Sequence, residues 1–361
     1  MTAAAVRRRL AALREILADR KMDAFLTAHP PNVRYLTGFS GSSAWLVVTR
    51  EEACLFTDGR YAAQVREEVP AAAARRTVAR TGLADAFERW ASRRGIRRAA
   101  FEGDRLSVDL ATRLRSGTPW RWQPVRGWVE RLRVQKDEEE IAAIRTAAAI
   151  AVRCLGETLA LVEPGVREAD VAAELEYRIR RAAPEGPAFE TIVLSGERTA
   201  WPHGRTGTRA LREGDWLLID FGVRWNGYCC DVTRTVVLGE PTARQRDVHD
   251  AVRTALEAAA AACAAGARAR DVDRTARRVL RERGFARGIA HATGHGVGLE
   301  LHEEPRLHRS EEARLPPDAV VTLEPGLYFP EWGGVRIEDD YRVTDNGPEW
   351  LTPFPRACRP A

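Results

Sequence analysis

Residues 215–237 read DWLLIDFGVRWNGYCCDVTRTVV, with an apolar run on each side of Asn226-Gly227. An Asn-Gly pair between two such runs predicts a β-hairpin closed by a two-residue turn. Directly opposed residues of such a hairpin have numbers with a constant odd sum, and side chains two positions apart share a face. Asp220 and Asp231 therefore lie on one face, where two buried carboxylates repel each other unless a cation separates them.

A metal ion is the simplest such cation. The alternative, which the hairpin alone leaves open, is that one aspartate caps a turn while the other pairs with an arginine. The choice depends on which other ligand-type residues the chain supplies downstream.

The composition is that of an ordinary globular chain, with 361 residues, 45% hydrophobic residues and a net charge of +5. Lys21 and Lys136 are its only lysines, and acidic residues are interleaved with the arginines. This mixture favours a solvated surface over a nucleic-acid interface. No uncharged apolar stretch is long enough to span a membrane. The six cysteines lack ligand or disulfide spacing, which predicts reduced thiols and a cytoplasmic protein.

Strand and helix patterns alternate up to about residue 128, which predicts an N-terminal α/β domain over residues 1–131. Within it, residues 32–41 are rich in turn formers and are expected to form a loop. The charged run KDEEE, residues 136–140, precedes a long helical pattern and marks a linker at 132–140. Residues 141–361 then form a second, α+β domain.

The second domain contains an internal repeat of the form GxRxxDV, at residues 165–171 and 266–272. Each copy follows an Ala-rich helix, opens a second helix and precedes a run of strands, which predicts two halves related by a pseudo-two-fold axis. In this alignment Glu324 corresponds to Asp220, and Glu338 corresponds to Asp231. Adjoining halves would bring four carboxylates together, and these cannot all remain ionised without cations.

His291, His295 and His302, three of the seven histidines, fall within twelve residues, and His203 lies in a Pro-His-Gly loop. Each alone is more often structural than functional. Together with the carboxylates they provide bridging oxygens and an imidazole, the ligands that two divalent ions require. Such a pair polarises a carbonyl and lowers the pKa of water, which predicts hydrolysis of an acyl bond.

The chain resembles the pita-bread metallopeptidases, in particular the branch of aminopeptidase P and prolidase with a creatinase-like N-terminal domain. The resemblance rests on NVRYLTGFSG, LFTDGRY, LRVQKDEEEIAAIR, PHG, LLIDFG, GYCCDVTRT, HATGHGVGLELHE, LEPGLYF and GVRIEDD, which span almost the whole sequence. Motif by motif, it implies five metal ligands: Asp220, Asp231, His295, Glu324 and Glu338. Strand alternation agrees, because it places Glu338 on the face of Arg336 and Asp340 and leaves Asp339 on the other.

The resemblance also implies roles for the remaining residues. His203 and His302 would flank the scissile carbonyl, and Glu324 would transfer the proton. Tyr328 and Arg336 would contact the substrate or support the metal ligands, and His291 would contact the substrate or order its loop. The implied enzyme is an Xaa-Pro aminopeptidase that acts on peptides with proline at the second position, as a homodimer with two divalent ions. Manganese is the expected metal, with cobalt or zinc as alternatives.

Three alternatives stay open. The closest is an Xaa-Pro dipeptidase (prolidase), since the sequence does not reveal whether the cleft is closed after the proline. A creatinase-type hydrolase uses the same frame without metal, but it lacks the acidic ligands present here. A catalytically inactive binding protein with this fold would also be expected to have lost ligands.

Overall fold

The computed structural model describes residues 1–359. The chain divides into two compact units, one formed by Met1–Arg133 and one that begins at Val134. This division falls inside the predicted linker, residues 132–140.

The first unit is a mixed sheet with helices. Its elements are α1 (Ala3–Asp19), β1 (Ala24–Thr27), α2 (Pro30–Thr37), β2 (Ala44–Thr49), β3 (Ala53–Asp58), α3 (Gln64–Glu68), β4 (Arg75–Ala79), α4 (Leu83–Ala91), β5 (Arg98–Glu102), α5 (Val108–Gly117) and β6 (Arg121–Val125). Helix α6 (Trp128–Val134) follows. The six strands are ordered β4-β3-β2-β1-β5-β6. The predicted α/β architecture is therefore confirmed.

The loop expected over residues 32–41 is wrong for most of its length, because α2 occupies Pro30–Thr37. Pro30 and Pro31 begin this helix, where their missing N–H groups have no intrahelical partner to lose. Gly38, with φ of 86°, ends it in the left-handed conformation. The turn formers therefore mark the two ends of a short helix.

The second unit begins with helices α7 (Glu138–Leu159) and α8 (Glu168–Ala182), which precede strands β7 (Ile192–Ser195), β8 (Trp216–Phe221), β9 (Arg224–Trp225), β10 (Tyr228–Cys229) and β11 (Val232–Val237). Helices α9 (Ala243–Ala262) and α10 (Ala269–Glu282) follow. The last strands are β12 (Gly294–Gly296), β13 (Glu303–Leu307), β14 (Val320–Leu323), β15 (Gly326–Phe329), β16 (Gly333–Arg336), β17 (Asp339–Arg342) and β18 (Glu349–Trp350).

The predicted repeat is present in the hydrogen bonds of this unit. In the first half, the N–H of Gly165 donates to the carbonyl of Leu211, and in the second the N–H of Gly266 donates to the carbonyl of Leu315, both over 2.8 Å. Each half then supplies a sheet, ordered β11-β8-β7 in the first and β13-β12-β14-β17-β18 in the second. A bridge between Thr233 and Glu338 joins β11 to the second half. The duplication is therefore confirmed.

Within the described range, no helix combines the length and apolarity that a bilayer crossing requires.

Candidate active site

The hairpin at residues 215–237 forms with the predicted register. Asp220 pairs with Thr233 across β8 and β11, and Asp231 lies two residues before Thr233, so both aspartates share a face. The turn residues Asn226 and Gly227 have φ angles of 49° and 82°, the left-handed pair that a two-residue hairpin turn requires.

The ladder of this hairpin is interrupted around Gly222 and Asp231. The backbones approach closely there, and a Cβ on Gly222 would lie 2.2 Å from the carbonyl oxygen of Cys230. Asp231, released from the ladder, donates its N–H to Oδ2 of Asp340 over 2.9 Å. The interruption therefore sets the position of this carboxylate.

The other three predicted ligands come from the second half. His295 is the middle residue of β12, Glu324 directly follows β14, and Glu338 lies between β16 and β17. Ligand atoms of Asp231, His295 and Glu338 all lie within 4.8 Å of one another. His295 Nε2 is 3.8 Å from Asp231 Oδ2 and 4.0 Å from Glu324 Oε1. Residues up to 107 positions apart in sequence thus meet around one point.

The electrostatics of this cluster call for a cation. Burial raises the pKa of Asp231 and Glu338 well above their ordinary values, and neighbouring carboxylates raise both further. Burial also raises the pKa of Glu324 to about 7. Among the described residues, Oδ1 of Asp220 and Oδ1 of Asp231 are buried without a hydrogen-bond partner. Unpartnered buried oxygens around a shared point fit divalent metal ions.

The tautomer and the pKa of His295 fit a role as a metal ligand. Its Nδ1 lies 3.0 Å from the carbonyl of Gly296, which makes Nδ1 the protonated nitrogen and leaves the Nε2 lone pair facing the carboxylates. Burial, together with the positive charge that a protonated His302 would carry, lowers the pKa of His295 to about 4. The imidazole is therefore neutral at neutral pH, as metal coordination requires.

Arg336 connects Asp220 to two further predicted residues. Its guanidinium donates to Asp220 Oδ2 over 2.5 Å and to the hydroxyl of Tyr328 over 2.8 Å. The Tyr328 hydroxyl lies 2.8 Å from Nε2 of His291, whose Nδ1 faces the carbonyl of Ala292. With Nδ1 as the donor to Ala292, Nε2 of His291 accepts a hydrogen bond from the Tyr328 hydroxyl. This chain of hydrogen bonds, buried at Asp220, Tyr328 and Arg336 and half-buried at His291, holds Asp220 and His291 in fixed orientations.

A cavity of about 470 Å³ opens onto the cluster. Six predicted site residues line it: His203, His291, His295, His302, Glu324 and Arg336. The rings of His295 and His302 lie 4.3 Å apart. The other four predicted residues, Asp220, Asp231, Tyr328 and Glu338, are buried. A molecule in the cavity would therefore meet the histidines and Glu324, with most carboxylates behind them.

Comparison with known protein families shows which family has this arrangement of residues. Residues 142–345 match the family described as metallopeptidase family M24. The chain belongs to this family. Residues 9–135 match the creatinase/prolidase N-terminal domain. An Xaa-Pro dipeptidase of Pyrococcus furiosus is 33% identical over 349 residues, which are 96% of this chain and 98% of that protein.

Solved structures agree with this assignment. An Xaa-Pro dipeptidase from Bacillus anthracis matches with a TM-score of 0.95 at 32% identity, over 98% of this chain and 99% of that one. An X-Pro aminopeptidase from Thermotoga maritima matches with a TM-score of 0.89 at 34% identity, over 97% of this chain and 99% of that one. The fold predicted from the motifs, a creatinase-like domain followed by a pita-bread domain, is confirmed.

Sequence reasoning missed Arg306 of this M24 metallopeptidase. Arg306 lines the cavity, and its positive charge helps to lower the pKa of His302, although burial is the main cause. Arg306 lies in β13 (Glu303–Leu307), four residues after His302, and this short spacing from a predicted site residue was the signal that the sequence offered. A guanidinium beside the histidines offers a binding group for a carboxylate.

Proposed function

We propose that the protein is a dinuclear metal-dependent exopeptidase that hydrolyses an N-terminal Xaa-Pro bond. What supports the proposal is the meeting of Asp231, His295, Glu324 and Glu338 around one point, with buried, unpartnered Oδ1 atoms on Asp220 and Asp231, beside a cavity of about 470 Å³. The dipeptidase and aminopeptidase relatives support the substrate class.

These five residues would hold the two ions. Bridging carboxylates with a single imidazole suit Mn²⁺, with Co²⁺ and Zn²⁺ as alternatives. When bound, the ions supply Lewis acidity toward a peptide carbonyl and toward water.

The residues of the chain supply the proton transfers and the substrate contacts. Glu324 lines the cavity, where its carboxylate would accept a proton and then give it to the departing proline nitrogen. Burial lowers the pKa of His302, so its neutral ring can donate an N–H to a developing oxyanion. His203 lines the same cavity and would share this task. His291 and Arg336, also on the wall, would orient the substrate.

Arg306 favours the dipeptide as the substrate. An Xaa-Pro dipeptide carries its carboxylate directly after the proline, where a guanidinium can bind it through two parallel hydrogen bonds. Arg336 is less suited to this role because it is already bound to Asp220 and Tyr328. The aminopeptidase expected from the motifs remains the second candidate, supported by the similarity to the Thermotoga maritima enzyme.

Peptide hydrolysis tests the proposal directly. Metal-free protein would be incubated with Mn²⁺, Co²⁺ or Zn²⁺ and then given Ala-Pro, Ala-Pro-Gly or Ala-Ala. A dipeptidase cleaves Ala-Pro in preference to Ala-Pro-Gly, and an aminopeptidase shows the reverse order. Equal cleavage of Ala-Ala would contradict proline specificity. Absence of both metal binding and hydrolysis would favour the inactive binding protein.

The proposal includes a homodimer working in the cytoplasm, without nucleic-acid or membrane partners. Light scattering coupled to size exclusion measures the assembly. A single 40.1 kDa species at working concentration would contradict the dimer.

A further inference from the structure

The segment formed by residues 351–358 follows the last strand and adopts no regular secondary structure. It is nevertheless hydrogen-bonded to the strands that directly follow Asp231 and Glu338. Leu351 donates its N–H to the carbonyl of Asp340 over 2.9 Å, and the N–H of Val237, at the end of β11, donates to the carbonyl of Cys358 over 2.8 Å. We refer to residues 351–358 as the C-terminal strap.

One chain of hydrogen bonds leads from the strap to Asp231. The Thr352 hydroxyl accepts the N–H of Asp340 over 3.0 Å and donates to Asp339 Oδ1 over 2.9 Å. Asp340 in turn accepts the N–H of Asp231 over 2.9 Å. Asp339, Asp340 and Thr352 are completely buried. The strap therefore reaches the backbone of one proposed metal ligand through a single intermediate residue.

A second chain leads to Glu338. Arg356 donates to Asp339 Oδ2 over 2.8 Å, and Asp339 Oδ1 accepts from Arg234 over 2.7 Å. Arg234, which is 2% exposed, donates to the carbonyl of Glu338 over 2.6 Å. The same guanidinium binds two strap carbonyls, those of Phe354 and Pro355.

Both ligands need such support because both lie at interruptions of their strands. Asp231 falls between β10 and β11, and Glu338 falls between β16 and β17. Glu338 keeps a single bridge to Thr233, which also donates its hydroxyl to the Glu338 carboxylate. A continuous sheet would hold these residues through ladder hydrogen bonds on both sides. Here hydrogen bonds from charged and hydroxyl side chains hold them instead.

We propose that the C-terminal strap is a positioning element for the metal site, with Thr352 and Arg356 as its positioning residues. The inference rests on the proposed function, since it requires Asp231 and Glu338 to be ligands. Partners that orient metal ligands typically change metal affinity by 10–100-fold when they are removed.

The test compares Arg356→Gln with Arg359→Gln. Arg359 lies just beyond the strap and pairs with the exposed Glu240, so its replacement removes the same charge without touching either chain. Mn²⁺ affinity would be measured by calorimetry on metal-free protein, together with the melting temperature of that protein. We expect roughly tenfold weaker Mn²⁺ binding for Arg356→Gln and wild-type binding for Arg359→Gln.

Thr352→Val supplies a second, nearly isosteric variant should Arg356→Gln fail to fold, and it should also bind Mn²⁺ several-fold more weakly. Wild-type affinity in a folded Arg356→Gln or Thr352→Val protein, with or without a lower melting temperature, would overturn the positioning role. If the unmodified protein binds none of the candidate metals, the proposed function itself fails. That outcome differs from a failure of the positioning role, because it is seen in the unmodified protein before any variant is compared.

Discussion

Asp231 lies among four other carboxylates, those of Glu338, Asp220, Asp340 and Glu324, and each contributes to its raised pKa after the larger effect of burial. Replacing it with Asn keeps the shape and removes the charge. We expect Asp231→Asn to abolish metal binding and peptide hydrolysis. The metal-free variant should nevertheless be about 2 kcal/mol more stable than the unmodified protein at pH 8, since an uncompensated buried charge has gone.

Calorimetric metal titration and urea unfolding measure the two effects. Asp247→Asn is the control, because Asp247 is exposed on α9 and should change neither quantity. Retained activity in Asp231→Asn would contradict the ligand assignment.

Arg306 is predicted to recognise the carboxylate of a dipeptide. Charge-assisted hydrogen bonds contribute about 1.5–3 kcal/mol, so Arg306→Gln should raise KM for Ala-Pro by roughly 10–100-fold. KM for Ala-Pro-amide, which lacks the carboxylate, should stay unchanged. The neighbouring exposed Arg309, changed to Gln, is the matched control. Equal increases in KM for both substrates would mean that Arg306 only shapes the cavity.

Residue by residue, the sequence predicted which residues would meet around the cavity better than it predicted their individual contacts. Local geometry places Asp220 and Asp231 on one face of the hairpin, and three histidines lie within twelve residues. Both features are visible in the sequence, and both indicated the site. The contact between His291 and Tyr328 spans 37 residues and has no periodic signal. Arg306 was missed because a cavity wall is a tertiary feature, although its position four residues after His302 offered a clue.

At the scale of elements, the repeat extends to backbone conformations that are not evident from the sequence. The residue two positions before β8 is Gly214, with φ of 81°, and the residue two positions before β14 is Asp318, with φ of 64°. The same left-handed turn therefore starts the central strand of both halves. An Asp tolerates this conformation better than most residues, but it gives no signal of its own. The order of helices and strands therefore indicated the duplication more clearly than the residue types at the turns did.

The strand interruption at Gly222 gives a prediction about the hairpin. A methyl group there would lie 2.2 Å from the carbonyl oxygen of Cys230, a distance that forces the backbones apart. We expect Gly222→Ala to destabilise the protein by about 3 kcal/mol and to weaken metal binding, since Asp231 follows Cys230 directly.

Gly156→Ala provides the control, and both free energies come from urea unfolding. Gly156 lies inside α7, and its added Cβ would stay 3.4 Å from the nearest atom, so a gain of about 0.5–1 kcal/mol is expected. A Gly222→Ala protein as stable as the Gly156→Ala variant would contradict the close approach.

Across the whole molecule, buried carboxylates make stability depend on pH, and Glu102 is the clearest case in the first unit. It accepts hydrogen bonds from Thr27 and Asn32, and burial, aided by Glu130, raises its pKa to about 7. The folded state therefore holds a proton that the unfolded state releases at lower pH. This stabilisation is complete below the ordinary pKa of 4.5 and is lost as pH rises through 7.

Unfolding free energies at pH 5 and pH 8 measure this contribution. The unmodified protein should lose about 2–3 kcal/mol more than Glu102→Gln over this range. Identical losses in the two proteins would show that Glu102 does not hold the extra proton.

Metal binding should reverse the pH dependence of the stability of the second unit. Without metal, the raised pKa values of Asp231, Glu338 and Glu324 mean that stability falls as pH rises, with Glu324 losing its proton near 7. Bound ions require the deprotonated carboxylates, so the stabilisation that they provide increases over the same range.

At a Mn²⁺ concentration of about 100 times Kd, the gain is about 2.7 kcal/mol per ion, or roughly 5–10 °C in Tm. The Mn²⁺-induced rise in Tm should therefore be large at pH 8 and small at pH 5.5, and Asp231→Asn should show no rise at either pH. Equal rises at both pH values in the unmodified protein would mean that the ions bind elsewhere. The carboxylate cluster links the two observations, because the repulsion that weakens the metal-free protein at high pH is the same interaction that the ions relieve.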